Sequence, residues 1–318
     1  MNPVRGRFAP SPTGEMHLGN AWTALLAWLY TRSQGGEMIL RIEDLDPERS
    51  RRPYIDLCMQ DMKWLGLDWD EGPDVGGPYE PYCQSQRHDL YQSALAQLNE
   101  QGHLYPCYCT RAELHAVTMA PHAGEINNLY AGTCRILDDQ QRERRSCHKK
   151  PALRLAVPDK VIRFCDGLRG EFSQSLGQEC GDFVVQRADG VYAYQLAVTV
   201  DDALMKISHV VRGDDLLAST PRQIYLYNLL KLKAPKFVHV PLLYGEDGHR
   251  LSKRHGSLSL YNMRNRGIKP EKITGYLAWK SGQTERWESV KPQEIMHHFR
   301  LADVPRSPIV VEDVDQFS

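Results

Sequence analysis

The sequence predicts an α/β fold: a doubly wound parallel sheet, with an α+β subdomain inserted into it and a short helical region at the C-terminus. Short apolar segments that indicate buried strands are each followed by a loop and a helix, first near residues 4–32 and again near residues 207–230. This alternation is typical of parallel sheets. The segment 83–180, which is rich in charged residues and contains a cysteine cluster, separates the two sets and predicts the insertion.

The first strand–helix unit centres on RFAPSPTGEMHLGN, residues 7–20. It leaves the apolar strand VRGRFA, crosses two prolines and a glycine, and brings His17 and Gly19 to the start of a helix. Apolar residues at three- and four-residue spacing predict that helix, and Gly35-Gly36 should end it. Backbone amides at a helix N-terminus bind anions, and His17 adds a side-chain donor. The unit therefore predicts an anion site, although both familiar phosphate-loop motifs are missing.

The second predicted strand, EMILRI at residues 37–42, ends in Glu43. Ligands of open α/β sheets bind beyond the carboxyl ends of the strands, so Glu43 is placed to meet a cationic group. The structural alternative is a helix cap, because Pro53 and a periodic segment follow. Asp46 or Ser50 suits that capping role better. A loop is predicted over residues 66–82 and a helix over residues 87–101.

The insertion carries three cysteines that could bind a metal: Cys107 and Cys109 in a C-x-C motif, and Cys134 in LYAGTC. Thiolates suit zinc, which prefers four tetrahedral nitrogen or sulfur ligands. Buried structural thiols are the alternative. Residue chemistry alone leaves the fourth ligand open, and the candidates are Cys147, His148, His122 and the chemically less usual Tyr130.

The segment 138–151 is strongly charged and predicts a solvated face. A contact with RNA phosphates is the alternative, because basic residues cluster there. They are Arg142, Arg144, Arg145, Lys149 and Lys150.

Short strands are predicted within PALRLAV, VIRFCDG and GEFSQ, followed by a hairpin around Asp189-Gly190. We expect the second arm of the hairpin, VYAYQLAVTVDD, to rejoin the main sheet as a strand with Tyr192 and Tyr194 on one face. The next strand, ISHVVRG, ends at Arg212. An arginine fork matches a carboxylate bidentately, and an ion pair with Asp214 or Asp215 is the alternative.

Ser219 or Thr220 is predicted to cap the next helix, which has Pro221 in its first turn. A further strand then leads to a basic loop, GHRLSKRHGS at residues 248–257. Residues 260–282 are predicted to be helical, and residues 301–318 are predicted to form an extended tail.

Composition excludes several classes of protein. The chain has 318 residues, of which 42% are hydrophobic and 25% charged, as in ordinary globular proteins. No apolar run reaches the roughly 18 residues of a transmembrane helix, and the N-terminus does not resemble a signal peptide, so a cytoplasmic location is expected. With a net charge of −1, any contact with nucleic acid must come from local patches. The eight cysteines favour free thiols or metal ligands over disulfides.

HLGN at residues 17–20 and RLSKR at residues 250–254 resemble the HIGH and KMSKS signatures of class I aminoacyl-tRNA synthetases, and FAPSPTG is similar to the glutamyl and glutaminyl branch. The resemblance implies a Rossmann-like catalytic domain and activation of L-glutamate by ATP with Mg²⁺. It implies catalytic roles for His17 and Lys253. The implied ATP-binding residues are His17, Gly19, Asn20, Arg250, Leu251, Ser252, Lys253 and Arg254. Asn20 departs from the final histidine of HIGH.

The resemblance also implies an amino-acid pocket in which Arg7 and Tyr194 hold the side-chain carboxylate and Glu43 meets the α-ammonium. Two guanidinium groups and one carboxylate match the charges of glutamate. Glutamine would leave a buried arginine without a charged partner. The implied pocket residues are Arg7, Phe8, Ala9, Pro10, Ser11, Glu43, Tyr194 and Arg212.

One branch, the glutamyl-queuosine tRNA(Asp) synthetases, is similar in having Cys-x-Cys and Tyr-x-x-x-Cys at this place. This implies one structural Zn²⁺, bound by Cys107, Cys109, Tyr130 and Cys134. The chain ends soon after Lys253, so the large anticodon-binding domain of glutamyl-tRNA synthetases is expected to be absent.

The implied reaction is tRNA-independent activation of glutamate, followed by transfer to queuosine in the anticodon loop of tRNA(Asp). The enzyme is expected to be a monomer. The first alternative is a shortened glutamyl-tRNA synthetase that charges tRNA(Glu). The second is a non-catalytic RNA-binding or regulatory paralogue.

Four domains are expected. Residues 1–82 and 181–257 form the two halves of the catalytic domain, the second with the KMSKS-like loop. Residues 83–180 form an acceptor-binding-like subdomain with the zinc site. Residues 258–318 form a helical, stem-contact-like region and a tail.

Overall fold

The secondary structure alternates between strands and helices along most of the chain. The computed structural model describes residues 3–110, 113, 129–249, 251, 259–311 and 317. The strands in this part are β1 Arg5–Phe8, β2 Glu37–Leu40, β3 Leu104–Cys107, β4 Ala152–Leu155, β5 Val161–Asp166, β6 Gly170–Ser175, β7 Phe183–Gln186, β8 His209–Gly213, β9 Lys236–Val240, β10 Leu243–Gly245 and β11 Ile309–Val311. The α-helices are α1 Leu18–Arg32, α2 Arg52–Trp64, α3 His88–Glu100, α4 Asp139–Ser146, α5 Tyr194–Leu204, α6 Thr220–Leu229, α7 Leu260–Asn265, α8 Pro270–Lys280 and α9 Pro292–Met296.

The main body is built on parallel strand pairs. β1 pairs with β2, β8 with β9, and β10 with β11, and all three pairs are parallel. The two halves of the sheet meet at β1 and β8, where the amide of Ser208 donates a 2.9 Å hydrogen bond to the carbonyl of Arg5. The predicted doubly wound α/β architecture is therefore confirmed.

Helix α1 is the central helix of the core, and its large apolar side chains are almost fully buried. It lies close to β1 because Gly6 has no side chain: a Cβ there would come within 2.0 Å of Thr31 Oγ1. Trp22 anchors the helix by donating a 2.7 Å hydrogen bond from Nε1 to the carbonyl of Pro241. The N-terminus of α1 is thereby held at the carboxyl ends of β1 and β8.

The short strands predicted in the inserted segment form, and they pair in antiparallel fashion. Strands β3, β4 and β7 make a three-stranded sheet, and β5 and β6 make a hairpin. The hairpin reaches back to the main sheet, where the ring of Phe164 packs edge-on against Phe237. Helix α4, in the charged segment, buries none of its residues, which agrees with the predicted solvated face.

The prediction of a strand after the hairpin turn is wrong. The turn itself forms, but its second arm pairs only through a bridge between Gln186 and Tyr192, and the chain then enters α5 at Tyr194. Residues 196–202 are buried on all sides of this helix. An apolar run that is buried on all sides has no period that separates helix from strand, and β-branched residues such as Val198 and Val200 then mislead.

Two further expectations are corrected near helix ends. Neither Asp46 nor Ser50 caps α2; its N-cap is Arg51, which makes no side-chain capping bond, and Asp46 pairs with Arg187 at 2.9 Å. Ser219 is the N-cap of α6, but its hydroxyl accepts a hydrogen bond from Gln195 instead of from the helix.

The C-terminal part is more compact than predicted. The helical stretch divides into α7 and α8 at Gly267, which adopts a φ of 77° ahead of Pro270. The supposed extended tail returns to the main body: β11 pairs with β10, and Phe317 is buried against the rings of Tyr276 and Trp287. Among the described helices, none has the length and apolar character needed to cross a bilayer.

Candidate active site

A cavity of about 460 Å³ opens at the carboxyl ends of β1 and β8, beside the N-terminus of α1. Ligands of open parallel sheets bind at this edge. Twelve of the residues singled out from the sequence line this one space. They are Arg7, Phe8, Ala9, Pro10, Ser11, His17, Gly19, Asn20, Glu43, Tyr194, Arg212 and Leu251.

His17 is held in a fixed orientation at the start of α1. Its Nδ1 accepts a 3.1 Å hydrogen bond from the amide of Gly19, and its own amide donates to Oδ1 of Asn20 at 3.1 Å. In a neutral imidazole whose Nδ1 accepts, the proton is on Nε2, which is then a donor. Gly19 is needed for this arrangement, because a Cβ there would lie 2.9 Å from Cε1 of His17. Asn20, the departure from the HIGH signature, serves as a capping residue.

The described flanks of the basic loop converge on His17. Leu251 lines the cavity and its amide donates to the carbonyl of Leu243 at 3.0 Å. On the other flank, Ser259 forms an antiparallel bridge with His17, and the amide of Leu260 donates to the carbonyl of Met16 at 2.8 Å. The other residues assigned to this loop lie outside the described residues, and they are Arg250, Ser252, Lys253 and Arg254.

Arg212 presents one unsatisfied donor in the wall of the cavity. Its Nε donates to Nε2 of His239 at 3.0 Å, and its Nη2 donates to Oγ1 of Thr220 at 2.8 Å. The residue is only 4% exposed, and within the described part of the chain its buried Nη1 has no hydrogen-bond partner. Asp214, the alternative partner considered from the sequence, pairs with Arg169. A buried donor without a partner is costly, so Nη1 favours an anionic ligand.

Arg7 and Glu43 lie above a buried ionic network. Arg41 donates from Nη1 to Oδ1 of Asp202 at 2.7 Å and from Nη2 to Oε1 of Glu43 at 3.3 Å. The Nε of Arg7 reaches the same Asp202 oxygen at 3.4 Å. Against the effect of burial, Arg41 and Arg7 hold the pKa of Asp202 below its usual value.

The carboxyl of Glu43 is less well compensated. Burial raises its pKa above the usual value, although Arg41 and Arg7 oppose the shift. Its nearest described cation, Arg41, is shared with Asp202. A ligand that brought an ammonium group to Glu43 would therefore favour its ionised form.

Tyr194 enters the cavity as the first residue of α5, not from a strand. Burial raises the pKa of its phenol, so the hydroxyl keeps its proton and can donate a hydrogen bond. The family resemblance assigned Tyr194 to the pocket, but the strand that the sequence predicted there is a helix.

Sequence reasoning missed the residues behind the cavity: Arg41, Asp202, His239 and Asp166. Two signals were present. Arg41 interrupts the apolar run EMILRI, and Asp201-Asp202 interrupts LAVTVDDAL. Charged residues within buried elements are seldom left without partners, so each interruption indicates a buried ion pair.

A second cluster lies in the insertion, where the Sγ atoms of Cys107, Cys109 and Cys134 are all within 4.8 Å of one another. The Oη of Tyr130 is 3.5 Å from Cys107 Sγ and 3.6 Å from Cys109 Sγ, and the Sγ atoms of Cys109 and Cys134 are 3.5 Å apart. Tetrahedral zinc with Zn–S of about 2.3 Å and Zn–O of about 2.0 Å would separate sulfur from oxygen by about 3.5 Å and two sulfurs by about 3.8 Å. The donor set thus fits zinc.

The surroundings of the cluster agree with bound thiolates. Arg154 donates from Nε to Cys107 Sγ at 3.2 Å, and its guanidinium carbon lies 3.8 Å from the ring centre of Tyr130. Of the rival fourth ligands, Cys147 and His148 are exposed and stand outside the cluster, and His122 lies outside the described residues.

Comparison with known proteins agrees with the geometry of the cavity. The family described as tRNA synthetases class I (E and Q), catalytic domain, matches residues 3–314. A glutamyl-Q tRNA(Asp) synthetase of Symbiobacterium thermophilum is 54% identical over 96% of this chain and 94% of its own length. Another from Nitratidesulfovibrio vulgaris is 49% identical over 96% of this chain and 95% of its own length.

A solved structure is also similar. The crystal structure of a glutamate tRNA ligase from Elizabethkingia meningosepticum, in complex with its amino acid, superposes with a TM-score of 0.84 at 30% identity, covering 97% of this chain and 67% of that one. The chain therefore belongs to the class I tRNA synthetases of the glutamyl and glutaminyl type, and within them to the glutamyl-Q tRNA(Asp) synthetases.

Proposed function

We propose that this enzyme activates L-glutamate with ATP and Mg²⁺, without tRNA, and transfers it to the queuosine base at the wobble position of tRNA(Asp). In the first step a glutamate carboxylate attacks the α-phosphorus of ATP and pyrophosphate leaves. In the second, a hydroxyl of queuosine attacks the activated carbonyl and AMP leaves. The observation that carries the glutamate assignment is the buried Nη1 of Arg212, which has no partner among the described residues.

The charge balance at the cavity supports an acidic amino acid. Three guanidinium groups, on Arg7, Arg41 and Arg212, face two carboxylates, on Glu43 and Asp202. These five groups carry one positive charge in excess, and glutamate carries a net charge of −1. Asp201 is paired with Arg87, and Asp166 is separated from Arg212 by His239. Glutamine is neutral overall and would leave that surplus buried, which opposes its binding.

The α1 N-terminus and the basic loop are proposed to hold ATP. His17 Nε2 is a donor on a fixed ring, and the amides of the first turn of α1 attract phosphate oxygens. The described loop flanks at Leu251 and Ser259 both lie beside His17, which supports the assignment of Lys253 to the triphosphate. Catalysis then consists of placement and of neutralising the charge that grows on phosphate oxygens.

The proposal also names an acceptor for the glutamyl group and a bound metal. The relatives named glutamyl-Q tRNA(Asp) synthetase favour queuosine in tRNA(Asp) over the 3′ end of tRNA(Glu). We assign one structural Zn²⁺ to Cys107, Cys109, Tyr130 and Cys134, where it would cross-link the ends of β3 and the 130–134 turn. We also propose the four domains expected from the sequence, a cytoplasmic location and a monomeric state.

ATP–pyrophosphate exchange and a charging assay test the proposal. We expect exchange that depends on glutamate and not on tRNA, with a loss of about 100-fold or more in Lys253→Ala, since one preorganised donor to a developing charge contributes that much. Lys233→Ala, at a lysine of the 230–235 connection outside the cavity, is the control. Transfer of labelled glutamate to queuosine-containing tRNA(Asp), and none to tRNA(Glu), is expected. Stable charging of tRNA(Glu) would overturn the acceptor, and exchange with glutamine in place of glutamate would overturn the substrate.

A further inference from the structure

Asp166 ends the first strand of the inserted hairpin and lies behind the wall of the cavity, next to His239. Its Oδ1 accepts hydrogen bonds from the amides of Leu168 at 3.0 Å, Arg169 at 2.9 Å and His239 at 3.2 Å. Its Oδ2 lies 2.6 Å from Nδ1 of His239. Both side chains are buried. Against the effect of burial, His239 and the amides of Arg169 and Leu168 hold the pKa of Asp166 below its usual value, so the carboxylate is ionised and can only accept.

This arrangement fixes the protonation of His239. Because Asp166 only accepts, Nδ1 of His239 must carry a proton. Because Arg212 Nε can only donate, Nε2 of His239 must present its lone pair. The imidazole is therefore the neutral Nδ1–H tautomer. The pKa of His239 agrees, since burial, together with Arg212 and Arg7, outweighs Asp166 and lowers it.

One edge of Arg212 is thereby fully used. His239 takes Nε, and Thr220, which also lies 3.1 Å from His239 Nε2, takes Nη2. Among the described residues Nη1 has no partner, so it is left for a ligand. The guanidinium plane cannot rotate about its long side chain without breaking two buried hydrogen bonds.

We propose that Asp166 and His239 are positioning residues that act through Arg212, holding its Nη1 toward a carboxylate of the amino acid. The inference rests on the proposed function, because the carboxylate is that of glutamate. Neither residue touches the substrate. They contribute a hydrogen-bond acceptor for Arg212, which is Nε2 of His239. That nitrogen can accept only while Asp166 keeps the proton of the imidazole on Nδ1.

The hydrogen bonds from Asp166 through His239 to Arg212 form a relay, and this relay explains why a histidine suits position 239. A carboxylate in contact with Arg212 would cancel the charge that the substrate needs, and a second cation would repel it. A neutral imidazole orients the guanidinium and leaves its charge to the ligand. The distant Asp166 compensates part of the buried charge without contacting Arg212.

Two disruptive variants and one rescue variant test the relay. Asp166→Asn keeps the shape but places an amide donor at Nδ1, so the proton moves to Nε2 and faces Arg212. His239→Phe keeps the ring volume and removes both nitrogens, while His239→Gln restores an acceptor near the place of Nε2. The control is His209→Gln, at the far end of β8, where the ring contacts Tyr30 and Ser208.

We expect Asp166→Asn and His239→Phe to raise the KM for glutamate by about 10- to 100-fold in pyrophosphate exchange, as for the loss of a hydrogen bond to a charged group. The KM for ATP should stay within about twofold, a split that a general loss of packing would not give. His239→Gln should recover part of the glutamate affinity. In an Arg212→Ala background, Asp166→Asn should raise the KM no further. Equal effects on both substrates, or full additivity with Arg212→Ala, would overturn the relay.

Nitrogen NMR of the histidine rings separates this inference from the proposed function. In the wild type at pH 7 we expect the Nδ1–H tautomer at His239, and the Nε2–H tautomer in Asp166→Asn. An imidazolium or an Nε2–H ring in the wild type would overturn the relay whatever the enzyme activates. The expected tautomer together with no glutamate-dependent exchange would overturn the proposed function and leave the hydrogen-bond relay standing.

Discussion

Arg41 and Asp202 form an ion pair that is closed to solvent: Nη1 and Oδ1 are 2.7 Å apart, and the two side chains are 0% and 2% exposed. Arg41 also forms ion pairs with Glu43 at 3.3 Å and with Asp201 at 3.7 Å. Asp201 in turn accepts hydrogen bonds from Arg87, Gln84 and Tyr91. Arg41 thus lies among three carboxylates beneath the cavity, with Arg7 as a second partner of Asp202 and Arg87 as a second partner of Asp201.

Arg41→Met should lower the free energy of unfolding by about 3–5 kcal/mol, because it leaves buried carboxylates without their cation. Urea denaturation measures the change. Arg32→Met is the control, since Arg32 pairs with the exposed Asp68 and Asp70, and surface pairs contribute about 1 kcal/mol or less. Similar losses in the two variants would mean that the buried network contributes no more than a surface one.

Gly19→Ala should reduce pyrophosphate exchange by displacing His17. The new Cβ would lie 2.9 Å from Cε1 and 3.0 Å from Nδ1 of that ring, closer than such contacts normally are. Steady-state kinetics should show a lower kcat/KM for ATP by about tenfold or more, as when a 1 Å misplacement disturbs a reacting geometry.

Gly177→Ala is the matched control for that variant, because the three atoms nearest to its Cβ would all belong to Asp159 on the insertion, at 3.2 Å or more. Neither glycine has a φ in the left-handed region, so neither exchange strains the backbone. Unchanged kinetics in Gly19→Ala would show that His17 tolerates displacement and that its orientation is not needed.

Zinc content should depend on the cysteine cluster and not on nearby thiols. We expect one equivalent of zinc in the purified protein by elemental analysis, little or none in Cys134→Ser, and a reduced content in Tyr130→Phe, which loses the only oxygen donor. Chelation should also lower the thermal stability of the wild type, since a structural metal contributes to folding. Cys147→Ser, at an exposed thiol outside the cluster, should keep its zinc. A full equivalent in Cys134→Ser would refute the assignment.

Stability should vary with pH through Asp61, a buried residue of α2. Neither of its carboxylate oxygens accepts a hydrogen bond within the described chain, although Nη1 of Arg264 lies 3.2 Å away. Burial raises its pKa to about 7, with Glu15 adding to the shift and Arg264 opposing it. The folded state thus binds this proton more tightly than the unfolded state, in which the pKa is about 3.9. The contribution of Asp61 to the free energy of unfolding is present below about pH 4 and is lost as the pH rises from about 4 through 7.

Asp61→Asn removes this dependence. Thermal denaturation should show that the variant gains more stability over the wild type at pH 8 than at pH 5. Asp56→Asn, an exposed position on the same helix paired with Arg52, should show no such trend. A gain for Asp61→Asn that is the same at both pH values would show that Asp61 does not titrate in this range.

The sequence could predict those parts of the site that follow each other along the chain. Residues 7–20 contain a strand, a turn and a helix start in one run, so the positions of His17 and Gly19 follow from local rules. Tyr194 shows the limit of such rules. Its helix is buried on every face, and only the contacts made by residues far away in sequence decide between helix and strand.

Pairs that are distant in sequence could not be predicted at all. Asp166 and His239 are 73 residues apart and meet only because the β5–β6 hairpin folds back onto β9. Arg41 and Asp202 are 161 residues apart. A charged residue within an apolar run indicates that some partner exists, but the sheet order that supplies the partner is a property of the whole chain.

The pairing of β11 with β10 has a consequence for distant substitutions. β10 leads into the loop that carries Lys253, and Ile309–Val311 form the strand beside it. None of these three residues lines the cavity. Substitutions that weaken β11 should therefore disturb the handling of ATP from outside the cavity, by loosening the base of the loop.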